Sequence, residues 1–66
     1  MENKIEVNLR GLRLLNNMTQ DELASKIDKS SYTIRNWEIG NSSPKIQDYF
    51  KLKKILDPED KFFLQF

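Results

Sequence analysis

The sequence predicts an all-α fold, a small bundle of four to five helices. Three observations carry this. Apolar residues recur at helical spacing, and no strand-like alternation is sustained. Helix-capping residues stand at regular intervals, each just ahead of an apolar-periodic stretch. No repeat or low-complexity tract interrupts the pattern. With 66 residues, the chain is read as one domain spanning 1–66. A chain of this size buries only about 60% of the surface its unfolded form exposes, so its core is small.

Ile5, Leu9 and Leu12 stand at i, i+4 and i+7 and are expected to form the buried stripe of a first helix. Gly11 lies inside it and costs roughly 1 kcal/mol against alanine. Asn16-Asn17 ends it, because asparagine tolerates the left-handed conformation common at helix ends. Thr19-Gln20-Asp21-Glu22 then reads as a capping box, with Met18 and Leu23 as a hydrophobic staple around it. Leu23, Ala24 and Ile27 form the inward stripe of the second helix. Ser30 caps a third, leaving a connection of about three residues, and Gly40 marks its end. Ser43-Pro44 restarts the chain as cap and first residue of a fourth helix, and Asp57-Pro58 repeats the device for a terminal helix over about 58–65. Asp57, Glu59 and Asp60 read as the acidic first turn of that last helix.

Composition narrows the function. The chain has no cysteine and no histidine, which removes disulfides, thiolate metal sites and the commonest general base and zinc ligand. An enzyme is not expected, nor a metal or other cofactor. Eleven basic residues face ten acidic ones for a net +1. The balance is uneven, since residues 1–56 carry ten basic and seven acidic side chains while the last ten residues are net acidic. A mildly basic body permits a polyanionic partner without demanding one. The longest apolar run, Phe62-Phe63-Leu64, is too short to cross a bilayer, and Met1-Glu2-Asn3-Lys4 lacks the apolar core of a signal peptide. A soluble, cytoplasmic domain without a membrane partner is therefore expected.

Two short helices joined by a tight turn, over about residues 19–39, have the form of a DNA-binding helix-turn-helix. The third helix makes the reading sharper. At about 100° per residue, Ile34 and Trp37 share its inward side, while Tyr32, Arg35, Asn36 and Ile39 share the opposite arc. Arginine and asparagine are the side chains that bind guanine and adenine edges bidentately, and tyrosine can meet a thymine methyl or a phosphate. Lys51, Lys53 and Lys54 read as a solvated helix face.

The stretch from Leu9 to Leu56 resembles the Cro/repressor-type helix-turn-helix family. The matching residues are Leu12-Arg13, Met18-Thr19-Gln20, Glu22-Leu23-Ala24, Ile27, Ser30, Thr33-Ile34, Trp37-Glu38, Gly40 and Pro44. The resemblance implies that Gln20 holds a DNA phosphate and that Ser31, Tyr32 and Asn36 read bases, with Arg35 added from the helical wheel. It implies backbone contacts from Asn41 and Ser42, and an internal ion pair between Arg13 and Glu38. Helix two would lie across the groove with its N-terminus at the DNA backbone. Asp28 stands where the family usually has glycine, and Lys29 replaces a semi-buried aliphatic residue, its stem packing and its ammonium free for a phosphate. Ile39 replaces a residue more often polar or basic, and Lys53 stands where a small buried residue is usual.

The expected function is sequence-specific binding of double-stranded DNA as a transcriptional regulator of the phage or plasmid repressor type, with no small-molecule effector. Phe62, Phe63 and Phe66 would form one aromatic stripe on the terminal helix and join two copies into a homodimer. Two copies would meet successive major grooves about 34 Å apart on a near-palindromic operator. The rival reading is a protein-interaction module, antitoxin-like or an anti-repressor partner, that keeps the fold without binding DNA.

Overall fold

The structure, a computed structural model, describes residues 4–66. Met1, Glu2 and Asn3, which entered the reading of a missing signal peptide, lie outside the described residues. Within them the order is β1 (Ile5–Asn8), α1 (Leu9–Leu15), α2 (Gln20–Lys26), α3 (Ser31–Ile39), α4 (Ile46–Leu56) and β2 (Phe62–Gln65). The four helices pack around Leu9, Leu12, Leu23, Ile27, Ile34 and Leu52, all essentially solvent-free, with Trp37, Leu56 and Leu64 closing the core.

Three boundaries differ from the expectation. The first helix begins at Leu9, not near Ile5. Asn8 caps it, its side-chain oxygen accepting from the Gly11 amide at 2.7 Å. Ile5 lies in β1 and is exposed, while Leu9 and Leu12 keep their buried places. Gly11 is explained by the same cap: a Cβ there would stand 3.0 Å from both the Asn8 side-chain oxygen and a Val7 methyl.

The second difference is at the C-terminus, where the predicted helix over 58–65 is a turn followed by β2. Asp57 does not cap a helix. Its carboxylate accepts from the Lys61 amide at 2.8 Å and the Phe62 amide at 2.9 Å, four and five residues on, and Asp60 turns left-handed at φ 55°. β2 pairs parallel with β1, with Ile5 opposite Phe62 and Val7 opposite Leu64. The fold is therefore mostly helical, not all-α. Side chains of a strand alternate between faces, so the helical stripe expected of Phe62, Phe63 and Phe66 does not exist. Phe62 packs with Val7 and the buried Leu64 against the core, whereas Phe63 and Phe66 are exposed.

Third, α4 is capped by the backbone of Lys45 and starts at Ile46, two residues after Pro44, with no side-chain cap. Lys45, Ile46 and Gln47 are all exposed, so extending the helix back to Pro44 would bury nothing. The remaining signals match the structure. The Thr19–Glu22 capping box is formed in both directions, at 3.0 and 2.9 Å. Ser30 caps α3, and Gly40 ends it with φ 83°. Asn17 and Asp28 are left-handed at φ 56° and 61°, conformations that the short polar side chains of asparagine and aspartate tolerate.

Candidate nucleic-acid interface

α2 and α3 are joined by a tight turn between the Ile27 and Ser30 caps, closed by the Lys29 amide donating to the Ala24 carbonyl at 2.9 Å. α3 buries Ile34 and Trp37 and turns Tyr32, Arg35 and Ile39 to solvent, Tyr32 being 71% exposed. Ser31 and Asn36 are half-buried at the edges of that face. The four side chains expected to meet bases thus share the outward side of one helix.

Two of the four are already engaged. The Ser31 hydroxyl donates to the Asp21 carboxylate on the first turn of α2. The Asn36 side-chain oxygen accepts from the Asn41 amide group at 3.3 Å. No sequence signal pointed to Asp21, because its reach depends on how α2 and α3 cross.

The residues expected at the DNA backbone are also tied. The main-chain amides of Asn41 and Ser42 fold back on the Asn36 carbonyl, at 2.9 and 3.4 Å, which among the described residues leaves the Ser42 hydroxyl and the second side-chain N–H of Asn41 as the donors not already engaged. The Lys29 ammonium lies 3.6 Å from the Asp48 carboxylate of α4. That partner explains why a lysine replaces an aliphatic residue there: Asp48 is buried, and a buried carboxylate needs a cation nearby. The first turn of α2 already holds Asp21 and Glu22 against the helix dipole, and the capping box occupies the Glu22 amide. Of the donors expected at that end of α2, the Glu22 amide is thus taken, while the Gln20 side chain stands half-buried beside it.

Arg13 and Glu38 form a buried ion pair. The Arg13 Nε donates to Glu38 at 2.6 Å and Nη2 at 3.1 Å, while Nη1 donates to the Met18 carbonyl at 2.7 Å. The side chains are 8% and 3% exposed. The hydrogen bond to Glu38 raises the Arg13 pKa above its ordinary value, against the opposing effect of burial. The pair ties α1 to α3. The Gln20 side-chain amide adds a third donor to Glu38, at 3.1 Å.

Lys53 is a second site where the sequence reading is corrected. It is not part of a solvated lysine face: its ammonium donates to Asp57 at 2.8 Å, Asp60 at 3.0 Å and the Phe62 carbonyl at 2.8 Å. The i, i+4 spacing of Lys53 and Asp57 was a legible signal for the first of these bonds. At the other end of the chain, Phe66 packs edge-on against Tyr49 with ring centres 6.2 Å apart. With Gln65 it lines a hollow of about 280 Å³ beside Trp37, Ile39 and Gly40, so the end of β2 lies next to the end of α3.

Among the described residues no helix is long and apolar enough to cross a membrane, and no cluster of three or more acidic side chains is placed to hold a metal ion. The fold and the outward polar face of α3 define a helix-turn-helix domain. A family model described as "Helix-turn-helix" matches residues 9–61, and the chain belongs to this Cro/C1-type family of DNA-binding transcription regulators. No match was found among curated proteins or among solved structures.

Proposed function

We propose that this protein is a sequence-specific repressor of the phage or plasmid type that binds a near-palindromic operator as a homodimer. The observation that carries the reading is the solvent face of α3, where Tyr32 and Arg35 stand exposed between Ser31 and Asn36. α3 enters the major groove, and these four side chains meet base edges. Gln20, Lys29, Asn41 and Ser42 meet phosphates, which fix register without carrying sequence information.

The dimer is read from the same geometry. Phe63 and Phe66 are each 52% exposed, and Phe66 lies beside the end of α3. A second copy covering them around a two-fold axis would bring the ends of the two α3 helices towards each other. A dyad of this kind matches a palindromic site. Selection from a pool of random duplex DNA tests the reading. A symmetric motif with half-sites about one helical turn apart is expected; recovery of no motif, together with tight binding of a partner protein, would favour the interaction-module reading instead.

A further inference from the structure

We propose that Glu38 is a positioning residue for the phosphate contact made by Gln20, in addition to its role as the partner of Arg13. The inference rests on the reading of Gln20 as a phosphate-binding residue.

The geometry is a three-residue relay. The Glu38 carboxylate is 3% exposed, and its three hydrogen bonds come from Arg13 Nε, Arg13 Nη2 and Gln20 Nε2. A side-chain amide carries two N–H groups on one nitrogen. One of them is held by Glu38, which leaves the other as the donor available to a phosphate oxygen. A glutamine free in solution samples many rotamers, and holding it in one removes an ordering cost from the binding step.

A carboxylate behind a phosphate site would ordinarily repel the phosphate. Here the Arg13 guanidinium at 2.6 Å cancels that charge, so Glu38 can act as an acceptor for Gln20 without opposing the DNA. The buried ion pair therefore has a consequence at the surface: it supplies a rigid and electrically neutral anchor for a contact residue on a different helix.

Two paired variants separate this role from a purely structural one. Replacing a buried ion pair by apolar residues often preserves stability. Arg13→Met with Glu38→Leu removes the anchor for Gln20; Arg13→Met with Glu38→Gln keeps a carbonyl oxygen facing it. Affinity for the selected operator is measured for both, each with and without Gln20→Ala. The expected result is about two- to tenfold weaker binding in the Glu38→Leu background, the range of one modest hydrogen bond. Glu38→Gln should restore it, and Gln20→Ala should cost measurably less once Glu38 is leucine than when a carbonyl oxygen faces it. Equal affinity in the two backgrounds, with Gln20→Ala costing the same in each, overturns the inference. If Gln20→Ala has no effect even in the wild type, it is the phosphate reading of Gln20 that fails.

Should the leucine background not fold, amide exchange in the wild-type protein decides. One Gln20 side-chain proton exchanging markedly slower than its geminal partner is expected. Both exchanging as fast as in an unstructured glutamine contradicts the anchor.

Discussion

Lys53 reaches from α4 to the main-chain carbonyl of Phe62 at 2.8 Å and so ties the last helix to the last strand. Asp57 completes the clamp by accepting from Lys53 and from the Lys61 and Phe62 amides. This explains a lysine where the family usually has a small buried residue. The C-terminal strand is docked by a partly buried charge network as well as by the apolar contacts of Phe62 and Leu64.

That network makes stability depend on pH. Burial pushes the Asp57 carboxyl up, but the Lys53 ammonium and the two backbone amides together hold it below its ordinary value. A carboxyl depressed on folding stabilises the protein above its unfolded pKa of about 4, and that contribution is lost as pH falls through the folded value. Asp57→Asn should cost about 1.5–3 kcal/mol at neutral pH, the range for hydrogen bonds to a charged group. Urea unfolding of wild type and variant at neutral pH and well below pH 4 checks this: the gap should shrink in acid. A gap unchanged by acid would contradict the clamp.

Glu38→Ala should destabilise the domain severely. It leaves Arg13 charged and buried, and breaking one side of such a pair typically costs about 3–5 kcal/mol. Ordinary domains have only about 5–15 kcal/mol in total, and a chain this short sits low in that range. Chemical denaturation is the measurement. A loss under about 1 kcal/mol, the range for exposed pairs, would be inconsistent with the burial seen here.

The three C-terminal phenylalanines should behave differently from one another. Phe62→Ser should destabilise the folded chain itself, because Phe62 packs against the core. Phe63→Ser and Phe66→Ser should leave the fold intact and weaken self-association, because both side chains are exposed. Sedimentation equilibrium, with denaturation alongside, separates the two effects. A wild type that remains monomeric both free and on operator DNA would refute the dimer.

Most of the helical part was legible because its signals are local. The capping box at Thr19, the cap at Ser30 and the left-handed Gly40 each act within a few residues of themselves, and each is where the sequence puts it. The two strands were not legible for the opposite reason. Ile5–Asn8 and Phe62–Gln65 are four residues each, too short to show alternation, and each becomes a strand only by pairing with the other across nearly the whole chain. Ile5 happened to stand at helical spacing from Leu9, and Asp57-Pro58 imitated a helix start. In the candidate interface, residue identity and face were readable on α3. The bonds from Ser31 to Asp21 and from Gln20 to Glu38 were not, since they depend on how α2 and α3 cross.

Gln20→Ala should weaken binding to all duplexes by a similar factor, since a phosphate contact carries no base information. Competition between the operator and unrelated DNA measures this. A loss confined to the operator would assign Gln20 to base reading.

Base reading by the solvent face of α3 is tested most directly by parallel selections from random duplex DNA. Wild type, Arg35→Ala and Asn36→Ala are carried through the same rounds. The wild type should yield a near-palindromic motif. Each variant should bind that motif about 1–3 kcal/mol more weakly and lose base preference at its own symmetric pair of positions, leaving the rest intact. If both variants select the same motif as the wild type with the same affinity, α3 does not read the operator as described.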